Sequence, residues 1–169
     1  ISWYENTCDG SDPLVLDLDG DGIELLGLGS GVQFDVNADG ALETTGWVGP
    51  DDGLLAMDLD GSGQIEDMSE VFSEVFNGGN YTDSLAALAT LDTNADQVIS
   101  AEDDQFDEIL VWQDGDSDGV STDAELATLT DHGISAIDLD ATASDETVSG
   151  NTIDAVGTVE FDDATTGTF

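Results

Sequence analysis

The chain has 169 residues, of which 39% are apolar, 40 are Asp or Glu and none is Lys or Arg, so its formal net charge is −40. This length is sufficient for one domain with a hydrophobic core. The charge argues against nucleic acids and anionic membranes as partners, because both would repel the chain. Since the same self-repulsion opposes folding, we expect divalent cations, and calcium in particular, as cofactors.

Targeting features are few. The single cysteine, Cys8, excludes an internal disulfide. No apolar run approaches the ~20 residues of a membrane-spanning helix, and no signal peptide is recognisable. We therefore expect a segment of a larger protein that is secreted or held at the cell surface, with neighbouring segments of that protein as partners. Extracellular calcium would suit weak acidic loops.

The predicted fold class is α+β, with small hairpins and strands, EF-hand-like calcium loops and short helices in one calcium-stabilised domain. Residues 1–12 are expected to form a flanking segment, and residues 13–169 the domain itself. Within the domain we expect a strand-rich lobe at 13–78, a helical part at 79–133 and closing strands at 134–169.

Apolar runs at 14–19 and 23–28 flank an acidic loop and predict a β-hairpin. Alternating or apolar runs predict further strands at 32–36, 54–59, 134–139 and 158–161. Apolar residues at helical spacing predict helices at 68–76, 83–91, 101–111 and 123–130, the second with Asp83 as its N-cap.

Acidic loops with alternating ligand-type residues recur at irregular intervals. The most complete one has Asp114, Asp116 and Asp118 as carboxylate ligands, Val120 as a carbonyl donor and Glu125 at the closing position. This pattern, with a glycine at the turn, matches the EF-hand calcium loop at every ligand position.

A second loop matches with two defects. Its ligands would be Asp92, Asn94 and Asp96, with Val98 as a carbonyl donor and Asp103 at the twelfth position. A glutamine replaces the turn glycine, and an aspartate is one carbon shorter than the usual closing glutamate, so closure by two oxygens is weaker.

A third loop offers the side chains of Asp58, Asp60 and Ser62 and the carbonyl of Gln64. Its closing ligand is either Glu70, one residue late for an EF-hand, or Glu66.

Two earlier loops have the first half of the pattern only. Their candidate ligands are Asp17, Asp19 and Asp21 in one loop and Asp35, Asn37 and Asp39 in the other. Neither has an acid at its twelfth position, so we expect completion from elsewhere, with Asp51 and Asp52 as candidates. The alternative is that both are Asp/Gly turns without a metal.

The bond between Asp12 and Pro13 directly precedes the first of these loops. An aspartate can attack its own main-chain carbonyl and form a cyclic anhydride, and the proline nitrogen is a good leaving group once it is protonated. An Asp-Pro pair alone is most often a turn. Fused to an acidic loop, it makes Asp12 and Pro13 candidate catalytic residues, with Asp9 or Asp17 as guesses for the proton donor.

Other singular residues suggest no chemistry. One histidine, His132, cannot build a Ser-His-Asp or Cys-His set, and we expect it either to cap a helix C-terminus or simply to be exposed. Trp47 and Trp112 are expected in the core.

Several motifs together resemble a known family, the calcium-dependent self-processing module of RTX proteins such as the FrpC-like iron-regulated proteins that Gram-negative bacteria secrete. The resemblance rests on residues 12–24, 34–35, 45–48, 51–55, 70–72, 85–88, 111–114 and 126–134. It implies calcium-triggered cleavage of the Asp12–Pro13 bond, followed by hydrolysis of the aspartyl anhydride or its capture by a lysine as an isopeptide bond. Because this chain has no lysine, the acceptor would belong to another segment or another protein.

The alternative function is a calcium-binding structural or spacer module of a large RTX adhesin or toxin, with an inert Asp-Pro bond. A calcium sensor that presents a groove is a third hypothesis, although Met57 and Met68 are the only methionines available for it. Mass spectrometry after calcium addition separates cleavage from the other two.

Overall fold

The computed structural model of the protein describes residues 12–169, so Cys8, Asp9 and almost all of the predicted flanking segment lie outside the described residues. The strands are β1 (Val15–Leu16), β2 (Leu25–Leu26), β3 (Gln33–Phe34), β4 (Glu43–Thr44), β5 (Trp47–Val48), β6 (Gly53–Ala56), β7 (Val98–Ser100), β8 (Leu110–Trp112), β9 (Leu126–Thr128), β10 (Ile134–Asp138), β11 (Thr142–Val148), β12 (Asn151–Val156), β13 (Thr158–Phe161) and β14 (Thr166–Thr168). Helix α1 spans Ser84–Leu88, and single 3-10 turns occur at Leu28–Ser30, Met68–Glu70, Phe76–Gly78, Ala89–Leu91, Phe106–Glu108 and Thr130–His132.

The predicted α+β class is wrong, because the part of the chain that the structure describes is mainly β with one short α-helix. In place of the helix expected at 101–111 there is a 3-10 turn followed by β8, and in place of that at 123–130 there is β9. The helix expected at 68–76 is reduced to one 3-10 turn at each end. The loop at Asp114 therefore connects two strands and lacks the helices of an EF-hand.

The hairpin expected at 14–28 is also wrong. Strand β1 pairs with β6, and β2 pairs with β5, so the two runs have different partners. The helix expected at 83–91 is confirmed as α1 and the 3-10 turn after it, and the Asp83 carboxylate caps it by accepting a hydrogen bond of 2.7 Å from the Ala86 amide.

Four single strands are confirmed, β3, β6 and β10 in shorter form and β13 with the predicted bounds. The longest hairpin, β11–β12, has a mostly exposed first strand that carries little apolar signal, and the sequence did not predict it.

A central antiparallel sheet in the order β1-β6-β8-β9 lies between two hydrophobic clusters. Leu16, Leu55 and Val111 belong to one cluster, and their neighbours Leu54 and Trp112 belong to the other. Alternate residues of each strand thus face different cores, which explains why these strands are apolar on both faces.

The first cluster is closed by α1, by the stacked rings of Phe72 and Phe76, and by a second antiparallel sheet in the order β14-β13-β10-β7. The Asp17 amide donates a hydrogen bond of 3.0 Å to the Thr168 carbonyl, so the end of the second sheet is tied to the residue that follows β1.

The second cluster contains an aromatic group formed by Phe34, Trp47 and Trp112, with ring centroids 5.2 to 5.5 Å apart. Both tryptophans are fully buried, which confirms their predicted place in the core. The indole nitrogen of Trp47 donates a hydrogen bond of 2.7 Å to Asp114 Oδ2, so this core contacts an acidic loop directly.

Candidate functional site

The acidic loops of the sequence form one recurring turn, here named loop 1 (residues 17–22), loop 2 (35–40), loop 3 (58–63), loop 4 (92–97) and loop 5 (114–119). In each loop the first aspartate accepts a hydrogen bond through Oδ2 from the amide five residues later. The donor amides and distances are Gly22 at 3.2 Å, Gly40 at 2.7 Å, Gly63 at 2.9 Å, Gln97 at 3.0 Å and Gly119 at 2.9 Å.

The backbone torsions repeat as well. The fourth and sixth residues of every loop have positive φ, and the sixth residues are Gly22, Gly40, Gly63, Gln97 and Gly119. Only Gln97, at φ 71°, has a side chain at this sixth position, which is a conformation that costs an L residue energy. A single turn geometry therefore underlies loops whose flanking elements differ.

Among residues 12–169, three groups of carboxylates occur in which the ligand atoms of one group all lie within 4.8 Å of one another. They are Asp17, Asp19 and Asp52 at loop 1, Asp58, Asp60 and Glu70 at loop 3, and Asp114, Asp116 and Asp118 at loop 5. With no lysine or arginine in the sequence to neutralise them, such groups could hold a metal ion. Their hard oxygen donors fit calcium.

Loop 1 is closed by a residue from far along the chain. The buried Asp52 carboxylate accepts hydrogen bonds from the Leu18 amide at 3.3 Å and the Glu24 amide at 2.6 Å. Burial raises the pKa of Asp52 to about 6, against the effect of these two hydrogen bonds, because the charged form loses water there.

Loop 3 is closed by Glu70, which accepts from the Leu59 amide at 2.9 Å and the Glu66 amide at 3.1 Å. Burial raises the pKa of Glu70 to about 7, and the nearby Glu66 carboxylate acts in the same direction. Of the two closing residues that the sequence left open, the structure groups Glu70 with Asp58 and Asp60.

Loop 4 is closed by Asp103, which accepts from the amides of Thr93, Asn94 and Ser100 and from the Thr93 hydroxyl. Burial raises the pKa of this carboxyl, but these hydrogen bonds outweigh burial and lower it. The side chains of Asn94 and Asp96 are joined at 3.0 Å in the same loop.

Loop 2 has a closing residue that the sequence did not predict. Glu43, in β4, accepts a hydrogen bond of 3.4 Å from the Val36 amide. Val36 is the second residue of its loop, the position whose amide is also bound by Asp52, Glu70 and Asp103 in the other loops. This equivalence could be found only from the pairing of β3 with β4, not from ligand spacing. The main-chain amide of Asp39, a predicted ligand of this loop, donates hydrogen bonds to the side-chain oxygens of Asp35 and Asn37.

At loop 5 the predicted closing residue has other contacts. Glu125 Oε2 accepts from the amide and hydroxyl of Thr122, at 3.0 Å and 2.9 Å. The pKa of Asp116 is raised, first by the Asp118 charge and then by burial.

The remaining predicted ligands lie around these loops. The charge of Asp19, and after it burial, raise the pKa of Asp21. Asp51 is exposed, and its hydrogen bond to Glu24 raises the pKa of Glu24 to about 7. The Gln64 carbonyl accepts from the Ser62 hydroxyl at 3.2 Å, and the amides of Val98 and Val120 bind the aspartates two residues before them.

The Asp12–Pro13 bond is anchored on both sides. Pro13 is buried, and the next residue, Leu14, donates its amide to the Phe72 carbonyl at 3.0 Å and accepts from the Leu55 amide at 2.9 Å. On the other side, the Asp12 amide donates a hydrogen bond of 2.8 Å to Glu74 Oε2. No sequence pattern indicates Glu74, because the contact spans 62 residues.

A cleft of about 580 Å³ lies beside this bond, with Asp12 and Pro13 in its wall. Part of its lining is apolar, including Leu85 and Phe169, and part is acidic, including Asp140 and Asp154. The cleft therefore has room for a small nucleophile, and its lining suits a side chain with an apolar stem and a positively charged end.

His132 lies at the end of a 3-10 turn, half-buried, near loop 1 residues Asp17 and Asp19 across a second cleft. Burial lowers the pKa of His132, so the neutral imidazole is favoured. Within residues 12–169, no helix is both long and apolar enough to cross a bilayer.

Comparison with known proteins bears on this arrangement. A family model described as the SPM domain matches residues 14–169. The chain belongs to the SPM domain family. It is also 42% identical over 161 residues to the iron-regulated protein FrpA of Neisseria meningitidis serogroup C, covering 92% of this chain. The alignment spans only 14% of FrpA, so this SPM domain corresponds to a small part of that protein.

Proposed function

We propose that this SPM domain cleaves its own Asp12–Pro13 bond when it binds calcium, and that the new C-terminal aspartate is passed to water or to a lysine amine. The observation that carries the proposal is the scissile bond itself, which is anchored on both sides and borders an open cleft.

The reaction needs one carboxylate and one proton. A side-chain oxygen of Asp12 attacks the carbonyl carbon of the same residue, and a five-membered ring forms. The bond from that carbon to the Pro13 nitrogen then breaks as the nitrogen takes up a proton, which leaves a cyclic anhydride and a secondary amine. Attack by an internal group gains the advantage of proximity that a separate nucleophile lacks.

Calcium, when bound, supplies the positive charge that the carboxylate groups need in order to lie close together. The chain itself does the positioning. Loop 1 begins at Asp17 and directly follows β1. Glu70, which closes loop 3, lies two residues before Phe72, whose carbonyl accepts a hydrogen bond from the Leu14 amide. Ordering these two loops therefore orders the segments that hold Pro13 and Leu14.

Transfer to an amine fits the cleft beside the bond. A lysine amine attacks the main-chain or side-chain carbonyl of the anhydride, an amide bond forms, the other carboxylate is released, and the nitrogen loses a proton. Carboxylates such as Asp140 and Asp154 favour entry of a cation, and the apolar wall suits a lysine stem. The acceptor would come from another segment or protein, since this sequence has no lysine.

The setting we propose is a large secreted or surface-bound RTX-type protein of a Gram-negative bacterium, of which this domain is one part. The similarity to FrpA supports this setting.

Mass spectrometry of the purified chain tests the reaction. Calcium should produce fragments that end at Asp12 and begin at Pro13, and chelator should suppress them. Asp12→Asn should abolish cleavage because the amide is a far poorer nucleophile, whereas the exposed-site control Asp145→Asn should cleave like the wild type. Pro13→Ala should slow cleavage. Equal cleavage by Asp12→Asn would contradict the anhydride route.

A second candidate is a non-catalytic calcium-binding spacer, and the repetition of one turn in five loops favours it. In that case calcium should raise the melting temperature while the mass of the chain stays intact for the whole experiment. Partial cleavage that depends on Asp12 would exclude it.

A further inference from the structure

Glu74 lies outside the acidic loops and hydrogen-bonds to Asp12, a residue of the scissile bond. Its Oε2 lies 2.8 Å from the Asp12 nitrogen, which is a short distance for an amide donor and typical of a charge-assisted hydrogen bond. The Asp12 amide nitrogen belongs to the same residue as the carbonyl that the proposed reaction attacks, and only the Asp12 Cα lies between them.

Glu74 itself is held in place by its own segment. Its carbonyl accepts from the Tyr81 amide at 2.8 Å, and the flanking Phe72 and Phe76 rings stack with centroids 4.2 Å apart in the first core. The Ser73 hydroxyl donates to the Met68 carbonyl at 3.2 Å. The carboxylate that meets Asp12 is therefore carried by a fixed stretch of backbone.

The same stretch of backbone also holds the other side of the bond. The carbonyl of Phe72, which lies two residues before Glu74 along the chain, accepts a hydrogen bond from the Leu14 amide. Residues 72 and 74 thus contact the segments that precede and follow the scissile carbonyl.

This double contact restricts the torsion that matters most for the reaction. Rotation about the Cα–C bond of Asp12 turns its carbonyl toward or away from its own carboxylate. With the amide fixed by Glu74 and Leu14 fixed by the sheet, that rotation is limited, and the proline that follows already restricts Asp12 to extended conformations. A fixed rotation favours the near-attack geometry.

We propose that Glu74 is a positioning residue for the self-cleavage: its side-chain oxygen holds the Asp12 amide and so orients the Asp12 carbonyl toward its own carboxylate. This inference rests on the proposed function. Burial raises the pKa of Glu74 above its ordinary value, partly offset by the hydrogen bond from Asp12, which agrees with a carboxyl enclosed beside the bond.

Two substitutions separate the acceptor oxygen from the charge. Glu74→Gln keeps an oxygen that can accept from the Asp12 amide, so cleavage in saturating calcium should stay within about threefold of the wild type. Glu74→Leu removes the acceptor, and its cleavage rate should fall by roughly tenfold to a hundredfold. The exposed Glu160 provides matched controls, because Glu160→Gln and Glu160→Leu should both cleave like the wild type. Tryptophan fluorescence during calcium titration shows whether each variant has folded.

Amide shifts test the contact without cleavage. In the uncleavable Asp12→Asn background, the amide proton of residue 12 should lie downfield, move slightly in Glu74→Gln and move strongly upfield in Glu74→Leu. If Glu74→Leu does not fold, the Gln variant and this amide shift still decide the matter.

The outcomes are distinct. Wild-type cleavage by folded Glu74→Leu, or equal losses in the Gln and Leu variants, would overturn the positioning role while leaving the self-cleavage intact. An uncleaved wild type would overturn the proposed function, and the amide shift would then show whether Glu74 holds residue 12 at all.

Discussion

Loops 3 and 4 have the same turn, but the pKa values of their closing carboxylates shift in opposite directions. Glu70 closes loop 3 with two amide hydrogen bonds, lies among Asp58, Asp60 and Glu66, and has its pKa raised to about 7. Asp103 closes loop 4 with hydrogen bonds from three amides and one hydroxyl, and its pKa is lowered.

The same turn therefore occurs with two kinds of closing carboxylate. The loop 4 carboxylate is satisfied by the backbone around it, so loop 4 is stable as a turn on its own. The loop 3 carboxylate is buried among like charges and is stabilised by a proton or by a metal ion. Because loop 3 leads into the segment with Phe72 and Glu74, the loop whose closing carboxylate needs a proton or a cation is the one connected to the Asp12–Pro13 bond.

The largest effects are expected when each closing carboxylate is replaced by its neutral amide, which tests the contrast between loops 3 and 4. Glu70→Gln should weaken calcium binding on the order of tenfold to a hundredfold, since a charged ligand is lost. It should change cation-free stability little, because relief of repulsion offsets one weakened hydrogen bond. Asp103→Asn should instead lower cation-free stability by roughly 1–3 kcal/mol, because buried amides lose their acceptor.

Isothermal titration calorimetry and urea unfolding in chelator measure the two effects. Glu125→Gln in loop 5 provides a third comparison, and a greater loss of calcium binding than in Asp103→Asn is expected if the EF-hand-type spacing governs that site. Equal responses of Glu70→Gln and Asp103→Asn in both measurements would remove the distinction between loops 3 and 4.

A smaller effect concerns pH. The pKa values of Glu70, about 7, and Asp52, about 6, lie above their ordinary values of 4.5 and 3.8. Between these limits the cation-free folded state binds more protons than the unfolded chain, so stability should fall as pH rises through about 6 to 7. His132, with its lowered pKa, opposes this trend below its ordinary value of 6.5.

Melting curves in chelator from about pH 5 to about pH 8 should therefore show a higher melting temperature at the acidic end, while calcium affinity falls there because protons compete for the same carboxylates. The rise should be smaller in the Glu70→Gln variant. A melting temperature that increases with pH in chelator would count against the raised pKa values.

The smallest effect sharpens the comparison at the turn itself. Gln97→Gly relieves a side chain held at φ 71° in loop 4, and should stabilise the folded protein by about 1 kcal/mol. The reverse change in loop 3, Gly63→Ala at φ 82°, should cost about the same, because no atom lies within 4 Å of the added Cβ and only backbone strain changes. Urea unfolding of both variants in calcium checks the signs.

The loops could be predicted because their signal is local. An aspartate followed at regular intervals by further acids and a glycine is enough to specify a turn that the first carboxylate closes, as at Asp58 and Asp114. The elements around them were predicted wrongly as helices, because a short apolar run such as Phe106 to Trp112 suits a helix or a buried strand equally well. The run forms a strand because β8 pairs with β6 on one side and with β9 on the other.

The closing and positioning residues could be predicted from the sequence only in part. Asp52 and Glu70 were named as candidates for loops that lacked a twelfth ligand, and both are grouped with those loops. Glu43 and Glu74 escaped prediction, because their partners are set by strand pairing and by a contact across the chain. Long-range contacts of this kind leave no spacing in the sequence.

The burial of Pro13 has a consequence for the direction of the proposed reaction. The new proline amine would remain anchored through Leu14 to the central sheet, beside the anhydride from which it has just departed. At the high local concentration that such anchoring gives, the amine can attack the anhydride and reform the original bond. Cleavage would thus be a reversible exchange that becomes permanent only when water or an amine reaches the cleft. Adding hydroxylamine should then raise the net rate of cleavage without changing the calcium concentration at which it begins.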